Sequence, residues 1–193
     1  MRFAVVRSIV AVAIPVVVFV LPGYFMMHLT GRDQFQRTAQ PDSVPLNFRF
    51  AGYDAPAATA YWGWLGPAGR DAERRFLKAD LVFPVVYGGA LFAGLAFAWA
   101  GLGRASRPAW LMMPVAMTVL ADWTENAVHL SQLAAFVHGA AVDPGWIQIA
   151  SIATSTKMAF FTLSSLMILG VCARLLRHRL TPRQALQERS CRL

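Results

Sequence analysis

The sequence predicts an all-α membrane protein, a polytopic four-helix bundle forming one domain over residues 1–193. Three observations lead to this prediction. The chain has 56% hydrophobic and 15% charged residues and a mean hydropathy of +0.46, whereas apolar residues make up about 45–50% of soluble domains. Four apolar segments are each long enough, at about 20 residues, to cross a bilayer. Polar segments separate them.

The first predicted span covers about residues 8–28. Arg2 and Arg7 precede it, which resembles the charged start of a signal peptide. The apolar stretch is too long for a signal peptide, it lacks an Ala-x-Ala-like cleavage site, and it ends in the bulky residues 24–28. We therefore predict an uncleaved anchor.

A polar, mixed-charge loop is predicted at residues 31–78, between the first two spans, and it contains short helices. Asp54 is a predicted N-cap because Pro56 and a helical segment follow it. Three aromatic residues between 61 and 64 are typical of a membrane–water interface. The Gly-Pro-Ala-Gly segment at 66–69 predicts a break, after which a helical pattern resumes and leads into the next span.

The second span is predicted at about residues 81–102. Ala90, Gly94 and Ala98 recur every four positions in it, a pattern of small residues that lets transmembrane helices pack closely. At its start, Asp80 lies on the same helix face as Tyr87. For Asp80 we considered three roles: a helix cap, a partner of a nearby arginine, or a group at the entrance of a site.

The third span is predicted at about residues 110–137 and the fourth at 146–175, followed by a basic tail at 176–193. A cytoplasmic N-terminus places ten basic residues in the cytoplasm and leaves seven in the loop at 31–78. Because positive charge concentrates on the cytoplasmic side, we predict that both termini are inside and that this loop is extracytoplasmic. The predicted location is the cytoplasmic (inner) membrane of a bacterium.

A polar stripe interrupts the third span. Asp122, Glu125, Asn126 and His129 fall within an arc of roughly 100° on a helix. An ionisable group at the centre of a span costs about 2.5–3.5 kcal/mol on insertion scales, and such groups are usually functional. The stripe is therefore the first candidate for a functional site.

A lysine in the fourth span completes the predicted site. With a rise of about 1.5 Å per residue, Lys157 lies within about one turn of Asp122 in depth, and Tyr87 lies near the level of Glu125. Together these residues form a buried cluster in which the ammonium neutralises the acids. The candidates for binding or proton relay are Asp80, Tyr87, Asp122, Glu125, Asn126, His129, Thr154 and Lys157.

Three functions fit this cluster. The first is binding or transport of a small or lipid-like ligand with proton coupling. The second is a membrane-embedded enzyme with Glu125 or His129 as general base, although no known nucleophile, phosphate or dinucleotide motif accompanies them. The third is a structural or accessory subunit for a membrane protein partner, in which the cluster is only a packing network.

The sequence argues against several other classes of function. The arginines flank apolar spans instead of forming a patch with aromatic residues, so no nucleic-acid binding is predicted. A metal on Asp122, Glu125 and His129 is disfavoured because the Lys157 ammonium would repel it. No cofactor is predicted. The two cysteines, Cys172 and Cys191, are far apart, which argues against redox chemistry.

Four short motifs carry a resemblance to a protein family. They are L-G-x-x-G-R at 65–70, D-x-x-F-P-x-x-Y at 80–87, D-x-x-E-N at 122–126, and a threonine three residues before Lys157. This pattern resembles an uncharacterised family of small bacterial four-span membrane proteins. The resemblance implies the four-helix architecture and that these residues belong together, and it implies no activity.

Overall fold

The computed structural model describes residues 2–35, 43–103 and 109–190, without the side chains of residue 2 and of residues 178–190. In this part of the chain the structure is all-helical, with five α-helices and no β-strand, which confirms the predicted all-α class. Short 3-10 turns precede α2 and α4. The helices are α1 (Arg2–Thr30), α2 (Ala55–Ala79), α3 (Phe83–Ala100), α4 (Met113–Val137) and α5 (Pro144–Ser190).

Three of the described helices are long and apolar enough to cross a membrane. These segments are Phe3–Thr30 in α1, Phe83–Ala100 in α3 and Pro144–Arg177 in α5. Helix α4 is long enough, with 25 residues, but its polar stripe lowers its mean hydropathy. Length and composition therefore support three of the four predicted spans, and a bundle of four spans is not confirmed.

Many large apolar side chains of the long helices α1 and α5 are exposed on the surface of the molecule. On α1, a whole series of large apolar residues is exposed, and α5 has a similar face. Such surfaces are incompatible with water contact on this scale and fit lipid contact. The exposed residues of α1 include Val6, Ile9, Val16, Val17, Val20, Leu21 and Phe25.

Helices α1 and α3 pack closely, as the small residues of α3 predict. Ala90, Gly94 and Ala98 are buried. A Cβ atom at Gly94 would lie 2.6 Å from the carbonyl oxygen of Ala11 and 2.8 Å from Cγ of Pro15. Glycine is therefore required at this crossing.

We expect Gly94→Ala to destabilise the protein by about 1–3 kcal/mol, because the added methyl group forces the α1 backbone away from α3. Gly89→Ala on the same helix is the matched control, since a Cβ atom there meets no atom within 4 Å. Thermal unfolding of both variants in detergent measures the difference. Equal midpoints for the two variants would contradict the close crossing.

Helix α2 belongs to the α1–α3 connection, which we define as residues 31–35 and 43–82. The carboxylate of Asp54 accepts a hydrogen bond of 2.9 Å from the backbone N–H of Ala57, which confirms the predicted N-cap. The predicted break appears as a kink at Gly66, whose φ is +63°. Beyond the kink the helix continues to Ala79.

The structure differs from the expectation that this helix leads directly into the second span. Helix α2 ends at Ala79, a turn follows, and α3 begins at Phe83. Asp80 lies in this turn. The predicted fourth span at about 146–175 lies within α5, which continues as a helix to Ser190. Along its first half, α5 packs extensively against α4, and this pairing brings the predicted cluster together.

Candidate functional site

The centre of the site is a lysine between two carboxylates. Lys157 Nζ on α5 lies 3.0 Å from Asp122 Oδ1 and 2.5 Å from Glu125 Oε2, both on α4. Glu125 is completely buried, and Asp122 and Lys157 expose only 3% and 9% of their surface. Buried charges need such partners, because an isolated ion in an apolar interior loses its hydration without compensation.

Two further side chains fix Asp122. The Tyr87 hydroxyl on α3 donates a hydrogen bond of 2.8 Å to Asp122 Oδ2. Asn126 Nδ2 donates to Asp122 Oδ1 at 3.2 Å and to the backbone carbonyl of Asp80 at 3.0 Å. Both oxygens of Asp122 are therefore engaged, and α3, α4, α5 and the turn before α3 meet at this carboxylate.

Asp80 differs from the other two acids. It exposes only 4% of its surface, and within the described part of the chain no hydrogen bond or ion pair reaches its carboxylate. The arginine considered as its partner, Arg74, lies instead 4.0 Å from Asp71. Burial, and then the neighbouring charge of Asp122, raise the pKa of Asp80 well above its usual range.

His129 and Thr154 are held by a residue that the sequence analysis did not include. The Tyr53 hydroxyl lies 2.7 Å from His129 Nε2 and 3.2 Å from Thr154 Oγ1. Burial raises the pKa of Tyr53, so its hydroxyl stays protonated at neutral pH. Thr154 also donates to the carbonyl of Ala150. The position of Tyr53 in an aperiodic segment gave no signal by which it could be found.

A cavity of about 380 Å³ reaches one side of this cluster. Its volume lies within the range of about 300–1,000 Å³ that ligand pockets occupy. At its polar end are Asp80, Tyr87, Asp122 and Lys157. The remaining candidates, Glu125, Asn126, His129 and Thr154, do not line it. The walls are mainly apolar and include Phe19, Val20, Met26, Met27, Phe48, Phe50, Phe83, Met158 and Phe161.

Aromatic rings from three helices surround the polar end. The ring of Phe19 on α1 lies 5.6 Å from that of Tyr87 and 4.9 Å from that of Phe161 on α5. Phe83 lies 5.1 Å from Tyr87, centroid to centroid. Several wall residues, among them Phe19, Phe48 and Phe50, are also exposed on the outside of the molecule. The cavity is thus open toward the apolar surface that α1 presents.

A second buried ion pair lies in the α1–α3 connection, and the sequence analysis did not predict it. Arg32, with 1% exposure, binds Glu73 through two contacts, Nε to Oε2 at 2.7 Å and Nη2 to Oε1 at 3.0 Å. Arg32 Nη2 also donates to Asn47 Oδ1 at 2.9 Å. The Tyr61 hydroxyl donates to Glu73, and the guanidinium stacks on Phe76.

This second cluster supports one wall of the cavity. Asn47 and Phe76, which contact Arg32, are also lining residues of the cavity. No periodic pattern marks Arg32 or Glu73, and they are 41 positions apart. Their pairing depends on how the connection folds back on itself, and local sequence patterns do not specify that.

The donor set does not favour a metal at the cluster. The ammonium of Lys157 occupies the position between Asp122 and Glu125 that a cation would require. His129, the third predicted ligand of such a metal, is bound by Tyr53 instead. Over residues 2–35, 43–103 and 109–190, no three His, Cys, Asp or Glu side chains are grouped in a way that could hold a metal ion.

Comparison with protein-family models, with curated proteins and with solved structures found no match to this chain. The function must therefore be argued from the geometry and chemistry of the site.

Proposed function

We propose that this chain is a membrane protein that binds a small or lipid-like ligand in the cavity between α1, α3 and α5. One observation carries the proposal: a single cavity joins apolar walls, open toward the apolar outer surface, to a buried end with charged groups. An amphiphile matches both parts, since its chain is accommodated by the walls and its headgroup by the polar end.

Within this proposal α4, the predicted third span, also crosses the membrane, which gives four spans in all. Its polar residues face α3 and α5 and are buried there, so a bilayer would contact mainly its other side chains. Polar groups inside a membrane are tolerated when they face a bundle interior and are paired. The proposed topology places both termini in the cytoplasm of a bacterium, on the distribution of basic residues described above.

Proton coupling is part of the proposal. Two carboxyl groups, those of Asp122 and Glu125, contact a single ammonium, that of Lys157, and a third acid, Asp80, lines the same end of the cavity. Two buried oxygens of the cluster, Glu125 Oε1 and Asn126 Oδ1, have neither a hydrogen-bond nor an ion-pair partner within the described residues. Burial raises the pKa of Asp80, and a proton held there reduces the surplus of negative charge. Binding that changes this balance is coupled to proton uptake or release.

Catalysis is less well supported by the geometry. A general base needs to reach a substrate, yet Glu125 is paired with Lys157 and the Nε2 atom of His129 is occupied by Tyr53. Neither lines the cavity. An accessory subunit with a closed packing network is the other alternative, and a binding experiment separates it from the proposal.

The test uses the protein in lipid nanodiscs with a neutral photoreactive probe, a dodecyl glucoside carrying a diazirine on its chain. We expect covalent labelling of cavity residues such as Phe83, identified by mass spectrometry. Gly23→Leu should abolish this labelling, because Gly23 lines the cavity and a Cβ atom there meets only an ordinary contact of 3.5 Å.

Gly89→Leu is the matched control, since the added side chain points into open space outside the cavity. It should leave the labelling of cavity residues unchanged. Labelling that is confined to the lipid-facing side of α1, or that is equal in both variants, would contradict a ligand site and favour a packing network.

A further inference from the structure

The polar end of the cavity has one acidic group that no other residue satisfies. Asp80 exposes only 4% of its surface and lines the cavity, and its carboxylate has no hydrogen-bond or ion-pair partner within the described residues. Buried carboxylates nearly always have such partners. A ligand that enters the cavity therefore meets an unpaired acceptor.

The other polar groups at this end are already engaged. The ammonium of Lys157 is shared between Asp122 and Glu125, and the Tyr87 hydroxyl is bound to Asp122. An anionic headgroup would compete with Asp122 and Glu125 for the Lys157 ammonium and would be repelled by ionised Asp80. A cationic headgroup would be attracted by Asp80 and would reduce the excess of negative charge.

The aromatic rings beside Asp80 favour the same kind of headgroup. Phe19, Phe83 and Phe161 are among the residues that line the cavity, and Phe83 follows the Asp80 turn directly. Aromatic faces attract ammonium groups through their quadrupole, and quaternary ammonium ligands are recognised in this way. A carboxylate combined with aromatic rings is thus a suitable site for an alkylammonium group.

We propose that the cavity selects amphiphiles with an ammonium headgroup, which pairs with Asp80 while the alkyl chain lies along the apolar walls. This inference rests on the proposed function, because it names the ligand class of the same cavity. A free alkylammonium ion and an ammonium-bearing lipid share the headgroup chemistry, and they differ in the chain. The chain adds apolar contact that a free ion lacks.

A proton competes with the ammonium group for Asp80. Because burial favours the protonated acid, binding of the cation should strengthen as the pH rises and Asp80 ionises, and should weaken as the pH falls. Binding of the cation should therefore release a proton from Asp80, and this is the direction of the proposed proton coupling. The charged or titratable groups that face Asp80 are Asp122, Glu125 and Lys157 from α4 and α5, Tyr87 from α3, and Arg32.

The experiment measures competition against the neutral photoreactive dodecyl glucoside in nanodiscs. The competitors are dodecyltrimethylammonium, dodecyl maltoside and dodecyl sulfate, below micelle-forming concentrations, and tetramethylammonium as the free headgroup. We expect the trimethylammonium compound, whose headgroup carries a charge but no N–H donor, to compete about tenfold better than the maltoside through its attraction to Asp80 and the aromatic rings. The sulfate and the free headgroup should compete less well than the maltoside.

Two variants locate the effect. Asp80→Asn should reduce the preference for the cation to within about twofold, while labelling by the neutral probe shows that the cavity is intact. Asp71→Asn removes the same charge from an exposed position of α2 and should keep the full preference. Loss of the preference in both variants would mean a nonspecific charge effect and would overturn the assignment of Asp80.

The outcomes distinguish the two proposals. Equal competition by all three dodecyl compounds would overturn headgroup selection and leave ligand binding intact. Stronger competition by the sulfate would overturn it in favour of an anion bound by Lys157. If no probe labels the cavity and nothing competes, both proposals are wrong. If tetramethylammonium alone bound tightly, the proposal of a lipid-like ligand would be wrong, and a small cation would be the ligand of the cavity.

Discussion

Replacing Lys157 by methionine is expected to destabilise the protein by about 3–5 kcal/mol, the usual cost of removing one partner of a buried ion pair. The ammonium is the only positive charge that directly contacts Asp122 and Glu125 in the described part of the chain. Without it, two carboxylates are left in an apolar interior. Methionine has a similar length, so packing is largely preserved. Thermal unfolding in detergent measures the loss.

A second substitution should recover part of this loss. In the Lys157→Met background, Asp122→Asn or Glu125→Gln removes a stranded negative charge, so each double variant should be more stable than Lys157→Met alone. Lys78→Met is the control, because Lys78 is exposed at the end of α2 and its loss should change stability by less than about 0.5 kcal/mol. Strictly additive losses would contradict direct pairing.

Arg32→Met should produce a loss of comparable size, about 3–5 kcal/mol, at the second buried ion pair. The guanidinium makes two contacts to Glu73, one to Asn47 and a stacking contact to Phe76. Bidentate pairing of this kind is among the strongest interactions between side chains. Its removal leaves Glu73 buried, and among the described residues the Tyr61 hydroxyl is then its remaining donor. The unfolding midpoint is again the measurement.

Two comparisons make this second prediction specific. Arg32→Met combined with Glu73→Gln should be more stable than Arg32→Met alone, since glutamine removes the stranded charge. Arg74→Met removes an arginine from a partly exposed ion pair with Asp71 on α2, the helix that carries Glu73. This variant should lower the free energy of unfolding by no more than about 1 kcal/mol. If Arg32→Met were as mild as Arg74→Met, the buried pair would contribute nothing to the fold of the α1–α3 connection.

Features that depend on local spacing were predictable from the sequence. The N-cap at Asp54 and the close crossing at Gly94 follow from residue type and periodicity, and the structure contains both. The approach of Lys157 to Asp122 follows from the constant rise of a helix in a bilayer of limited thickness, and the two side chains are in contact. Periodic elements can thus be related to one another by simple geometry.

Features that depend on the folding of an aperiodic segment were not predictable. Tyr53 reaches His129 across 76 positions and Arg32 reaches Glu73 across 41, and no repeat connects either pair. Three roles remained open for Asp80, because residue type alone does not show which groups a side chain in a turn will contact. The assignment of α4 as a span also depends on tertiary structure, since partners of its polar residues lie on α3 and α5.

The hydrogen bond from Asn126 to the backbone carbonyl of Asp80 has a consequence for recognition. It anchors the turn between α2 and α3 to α4, so the backbone that carries the Asp80 side chain is held in place before any ligand binds. A preorganised acceptor avoids the entropy loss of ordering a loop during association. Shortening the Asn126 side chain should therefore weaken the affinity for the ligand, because the turn that carries Asp80 becomes less ordered. Asn126 itself does not line the cavity.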